Sequence, residues 1–149
     1  MSPPDASPTE SQTLTAALRA ICRRRGLRAR DVAAAMGLAL RTYQHFESGL
    51  SHLDWPRVKA FATATDSDAH AILIAVVIGS SDFAVRCMDN KLASVLVVAL
   101  RRFDQRLGDS LTQLEVGRVI AAFRKVFDDL EADLAWREAQ AHAWLSDET

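Results

Sequence analysis

At 149 residues the chain has the length of one domain or of two small ones. Apolar residues make up 49% of it, enough for a packed core, which excludes a disordered or collagen-like chain. Six glycines and four prolines are too few turn signals for an all-β sandwich. The net charge of −1 speaks against nucleic acid as an average, but the charge is unevenly distributed. Residues 1–10 sum to −2, residues 11–60 to +6 and residues 61–149 to −5. A basic half joined to an acidic half is a cue for nucleic-acid contact through the basic one. Cys22 and Cys87 have no CxxC spacing and are too few for a disulfide framework, so they read as buried thiols in a reducing, cytoplasmic setting. The longest apolar run, Ala71 to Gly79, is too short to span a bilayer, so no membrane association is expected.

Taken in chain order, residues 1–12 hold three of the four prolines among Ser, Thr and acids, and read as a disordered leader. From Thr13 onward the apolar period is 3.6. Leu14, Ala17, Leu18, Ile21 and Cys22 share one face of a first helix ending near Gly26. Val32, Ala33 and Met36 line a short second helix that stops at Gly37. Leu40 to Ser48 predicts a third, with Tyr43 and Phe46 inward and Gly49 as its end. The fourth runs from Trp55 to Thr65, with Asp54 as its cap, Pro56 in its first turn and Val58, Phe61 and Ala62 facing the core. A fifth, Ala69 to Ile78, is apolar all round and needs burial on more than one side.

After a short piece at Asp82–Met88, two long amphipathic helices are expected. Leu92, Val95, Leu96, Leu100, Phe103 and Leu107 stripe one, which Gly108 ends. Thr112-Gln-Leu-Glu115 has capping-box spacing for the start of the other. Its stripe continues through Val116, Val119, Ile120, Phe123, Phe127, Leu130 and Leu134 towards Trp136 and Trp144. The short connection between them implies a helical hairpin. Its apolar surface exceeds what so small a domain needs internally, so Val119, Phe123, Phe127, Leu130, Leu134 and Trp136 are the expected dimer interface.

The stretch from Leu18 to Asp66 carries the function. Two short helices joined by Gly37-Leu38-Ala39 form the helix-turn-helix arrangement, whose second helix fits the major groove of B-DNA. GLRARDVAAAMGLALRTYQHFESG, Gly26 to Gly49, resembles the λ-repressor-like, or Xre, helix-turn-helix family. Leu18-Arg19, Val32-Ala33, Met36-Gly37, Tyr43, Phe46, Glu47, Gly49 and Asp54-Trp55-Pro56 carry the resemblance over about 50 residues. Three positions depart from it. Arg28-Ala29 replaces the usual Ser or Thr followed by Gln at the start of helix 2. Ala39 replaces a capping Ser or Thr, weakening that cap by about 1 kcal/mol. Cys22 replaces an arginine that pairs with the glutamate matching Glu47, leaving Arg19 and Arg23 as substitutes.

The resemblance assigns base reading to Leu40, Arg41, Gln44 and His45. Their chemistry agrees: arginine donates twice to guanine, glutamine pairs with adenine, and leucine packs a thymine methyl. Arg28, Arg30, Thr42, Ser51, His52 and Arg57 suit phosphates, which set register without reading sequence. Arg23-Arg24-Arg25 reads equally as a nucleic-acid arm or as charges complementing a helix C-terminus. Four scattered histidines and two cysteines lack ligand spacing, so neither metal nor cofactor is expected. Asp128, Asp129, Glu131 and Asp133 read as a solvated face paired with Arg124, Lys125 and Arg137. No nucleophile elbow, GxGxxG or Walker sequence occurs, so an enzyme is not expected.

The sequence therefore predicts an all-α protein: a disordered leader (1–12), a λ-repressor-like helix-turn-helix domain (13–66) and a C-terminal helical dimerisation region (67–149). Its expected function is that of a bacterial or phage transcriptional regulator, a homodimer occupying a palindromic operator in double-stranded DNA and acting as a repressor. The alternative is an antitoxin or adaptor whose C-terminal helices bind a protein partner.

Overall fold

The computed structural model describes residues 9–49 and 53–147, which are helical with no strand among them. The helices are α1 (Glu10–Arg25), α2 (Ala29–Ala35), α3 (Leu40–Glu47), α4 (Trp55–Thr65), α5 (Ala69–Ile78), α6 (Ser81–Arg86), α7 (Leu92–Leu107) and α8 (Val116–Asp147), with a 3₁₀ helix at Gly108–Gln113. Two compact units result, Met1–Arg102 and Phe103–Thr149, the boundary falling inside α7.

In the first unit, Leu14, Leu18 and Ile21 of α1, Val32 of α2, Tyr43 and Phe46 of α3, and Val58 and Phe61 of α4 share one buried cluster. Phe46 anchors it, its ring centroid 6.4 Å from Tyr43 and 6.3 Å from Phe61. The same cluster takes in Ile72, Ala75 and Val76 of α5, Ala84 of α6, and Met88. The packing unit therefore extends well past the predicted boundary at residue 66, because α5 and α6 both lie against α1.

The all-apolar α5 is buried on two sides. Ile72, Ala75 and Val76 face the main cluster, while Ala71 packs with Cys87 and Ala93 in a second, smaller one. Its last turn is not covered, since Val77 is 74% and Ile78 56% exposed. Asp68 caps α5, accepting from the His70 amide at 2.9 Å. The same buried carboxylate accepts from the amide of Ser94 at 3.3 Å and its hydroxyl at 2.8 Å, so one side chain holds the starts of α5 and α7 together.

Two local expectations are corrected. Residues 10–12 are not leader but the first turn of α1, because Thr9 and Gln12 form a reciprocal capping box there; residues 1–8 of the leader lie outside the described residues. Thr112 and Glu115 do not form a box: the Thr112 hydroxyl donates to the Asp109 carbonyl within the 3₁₀ helix, and α8 begins only at Val116. The C-terminal helix is one uninterrupted element of 32 residues.

In the second unit Phe103, Leu107, Leu111 and Val119 are half-covered, and every other described residue is exposed. The acidic residues of α8 include the expected ion pairs, Lys125 to Asp129 at 2.8 Å and Arg137 to Asp133 at 3.2 Å. The first of these raises the Lys125 pKa, mainly through the hydrogen bond to Asp129. No helix among the described residues is long and apolar enough to cross a membrane.

Candidate nucleic-acid interface

The turn between α2 and α3 is as short as the sequence predicts. The Met36 and Gly37 amides donate back to Val32 and Ala34, and Leu38 to Ala33, and Gly37 takes the left-handed conformation at φ 68°. The chain thus reverses within Gly37-Leu38-Ala39, and α2 packs on α3. Neither helix has a side-chain cap, because Arg28 and Ala39 occupy the two N-cap positions.

Helix α3 has two opposed arcs. Tyr43 and Phe46 point inward and are almost completely buried. Leu40, Arg41, Gln44 and His45 lie on the opposite arc and are all exposed, so the four predicted base-reading residues do share one solvent-facing surface. Arg41 makes no ion pair among the described residues, leaving its guanidinium available to an external acceptor. Thr42 is half-buried at the edge of that surface.

The predicted phosphate contacts other than Thr42 fall into three groups. Arg28 and Arg30 are exposed at the start of α2 and form no ion pair among the described residues. Arg57, in the first turn of α4, lies 3.5 Å from the Asp54 carboxylate, which also caps that helix through the Arg57 amide at 3.3 Å. Its charge is therefore partly matched within the chain. Ser51 and His52 lie outside the described residues.

The orientation of α3 is held from behind by a connected polar group. Arg19 of α1 reaches Glu47 at 3.2 Å, taking the place of the arginine that the resemblance would put at position 22. Tyr43 donates its phenolic proton to the other Glu47 oxygen at 2.6 Å. The Cys22 thiol lies 3.6 Å from the Tyr43 oxygen and, with that proton committed to Glu47, is the donor of the pair. Burial raises the pKa of Cys22 and also raises that of Tyr43, where the hydrogen bond to Glu47 adds to the effect. Position 22 has thus exchanged a charged partner for a neutral, inert thiol. The ion pair has moved one turn along α1.

The Arg23-Arg24-Arg25 run divides. Arg25 donates to the Thr65 carbonyl at 3.1 Å and to the Asp66 carbonyl, and pairs with Asp89 at 2.6 Å, so it ties the end of α4 to the segment after α6. Arg23 and Arg24 remain exposed. Sequence reasoning missed this role of Arg25 because its partners are 40 to 64 residues away and two of them are backbone carbonyls. Among the described residues no group of three or more His, Cys, Asp and Glu side chains could hold a metal ion.

Of the expected dimer-interface residues, Phe123, Phe127, Leu130 and Leu134 form one exposed stripe on α8, with Phe123 and Phe127 stacked at 6.4 Å. Val119 flanks it and is half-covered. Trp136 does not join it. On a continuous helix at about 100° per residue it falls on roughly the opposite side, exposed to solvent.

Residues 13–72 match the family model of a helix-turn-helix domain. No curated protein matches the chain. Two solved structures of the clp gene regulator ClgR from Corynebacterium glutamicum are similar at 21% identity. One has a TM-score of 0.45 over 63% of this chain and 97% of that one; the other scores 0.43 over 47% and 91%. With α2, a glycine-centred turn and α3 inside the matched segment, the chain carries a helix-turn-helix domain in residues 13–72.

Proposed function

We propose that the protein is a DNA-binding transcriptional regulator, a homodimer that occupies a palindromic operator and represses by blocking access to it. The observation that carries this reading is the outer arc of α3. Leu40, Arg41, Gln44 and His45 are all exposed there, while the inner arc is locked into the core. Solvent alone would not require a leucine, an arginine and a glutamine on one short face. A major groove uses all three: a thymine methyl, guanine O6 and N7, and adenine N6 and N7.

Arg28, Arg30, Thr42 and Arg57 would then hold phosphates, with Ser51 and His52 completing the set, and the homodimer would match two half-sites related by two-fold symmetry. The exposed stripe of α8 supports the dimer, because a helix that buries no side chain of its own needs a partner. That stripe also favours the second reading, an antitoxin or adaptor in which a different protein covers it.

Selection of bound sequences from random duplex DNA tests the first reading directly. A palindromic consensus with half-sites about one helical turn apart is the expected result. Arg41→Ala should flatten the preference at one base pair, a discrimination of roughly 1–3 kcal/mol, whereas Arg28→Ala should weaken binding to every sequence alike and reduce the salt dependence. Recovery of unenriched sequences would refute sequence-specific regulation.

A further inference from the structure

We infer that α8 pairs with α8 of a second copy as an antiparallel coiled coil. This rests on the homodimer proposed above and specifies its contact. Along α8, Val116, Ile120, Phe123, Phe127, Leu130 and Leu134 are spaced alternately by four and three residues, and all are exposed. Carried on through Arg137, Ala141 and Trp144, the alternation averages the 3.5 residues of a heptad from Val116 to Trp144, the narrow strip that a second helix covers. Arg137 is the one charged residue in this otherwise apolar line.

The charges decide the direction. In heptad terms Arg124, Glu131 and Glu138 take the e positions and Val119, Val126, Asp133 and Gln140 the g positions. A parallel pair stacks Arg137 on its own copy inside the contact and sets Asp133 beside Glu138 of the other chain. It gains no opposite-charge pair from e to g. An antiparallel pair, with Phe127 against Leu130 and Ile120 against Arg137 of the other chain, separates the two arginines. It also places Arg124 against Glu131 twice, by symmetry. Neither Arg124 nor Glu131 makes an ion pair among the described residues, whereas Arg137 already has Asp133 at 3.2 Å and enters the contact with its charge matched.

The direction also has a consequence for spacing. With Val116 of one copy beside Ala141 of the other, the two Val116 positions lie about 38 Å apart along the pair at 1.5 Å per residue. In a parallel pair they would be about 10 Å apart.

Val116→Cys and Ala141→Cys variants of the full chain, oxidised separately and as a mixture, test the inference. A disulfide-linked dimer in the mixture, with little in either variant alone, is the expected result. Strong cross-linking of each variant alone would overturn the direction and leave the homodimer standing. No cross-link at a mass of two chains by light scattering would move the dimer contact away from α8. No cross-link at the mass of one chain would end both readings. As a second readout, Arg124→Glu should raise the dimer dissociation constant about tenfold, and Glu131→Arg added to it should restore most of that loss. Equal weakening by the single and the double variant would refute the pairing.

Discussion

Gly49→Ala tests how rigidly the end of α3 is seated. Gly49 is buried at φ 70°, where an L-residue costs roughly 1–2 kcal/mol. Its surroundings add a second cost. A Cβ there would stand 2.7 Å from the backbone oxygen of Ser11 and 2.8 Å from the Thr15 hydroxyl. The hydroxyl can rotate away, but the Ser11 carbonyl belongs to the first turn of α1 and can yield only if that turn moves. The same movement would strain the 2.8 Å bond from the Ser11 hydroxyl to the Gly49 carbonyl. Forcing one methyl into such a site costs typically 1–3 kcal/mol, which brings the total to about 2–5 kcal/mol.

Gly26→Ala is the matched control. Gly26 has nearly the same φ, 67°, with nothing within 4 Å of the added carbon, so only the conformational cost of roughly 1–2 kcal/mol applies. At 4–8 °C per kcal/mol for a unit of about 100 residues, Gly49→Ala should melt about 5–20 °C below Gly26→Ala by circular dichroism. Melting temperatures within about 2 °C of each other would refute the argument, since the contact with α1 would then add nothing to the cost of the backbone.

Three further predictions address the elements that hold the helix-turn-helix in place. Tyr43 is the single tyrosine of the chain, and burial followed by its hydrogen bond to Glu47 raises its pKa, so the unfolded phenol loses its proton first as the pH climbs. The Tyr43 contribution to stability is therefore intact below about pH 10 and declines above it. Phenolate absorbance should rise only together with loss of helical signal, and a reversible titration near pH 10 with the helices intact would contradict the buried hydrogen bond. Phe46→Ala removes the ring between Tyr43 and Phe61 and should lower stability by about 3–5 kcal/mol in denaturant titration; a loss below 1 kcal/mol would show that the core closes around the gap. Asp68→Ala removes three hydrogen bonds at the starts of α5 and α7 and should cost about 2–3 kcal/mol, with faster amide exchange at His70 and Ser94; unchanged exchange at Ser94 would refute the shared cap.

Much of the candidate site was legible because its determinants are local. The caps and glycines at Gly26, Gly37, Gly49 and Asp54 fix where helices start and stop within one turn of themselves. The inward pair Tyr43 and Phe46 leaves Leu40, Arg41, Gln44 and His45 no orientation but outward. Errors arose where competing local signals met. Pro and Ser at positions 3–8 suggested a leader reaching residue 12, but the Thr9–Gln12 box starts a helix at residue 10. The Thr112–Glu115 spacing suggested a cap, but Thr112 is taken up by a 3₁₀ turn.

By itself, then, the sequence determined the helices, the exposed face of α3 and the presence of an apolar stripe on α8, because each depends on periodicity and on residues a few positions apart. Tertiary structure alone decided which residues hold that face in place. Arg19 rather than Arg23 meets Glu47, Arg25 clasps two carbonyls and Asp89, and Asp68 caps two helices. These pairings span 26 to 64 residues in the main, and no pattern along the chain reports which of several arginines or aspartates the packing of the core will bring within hydrogen-bonding distance of a partner.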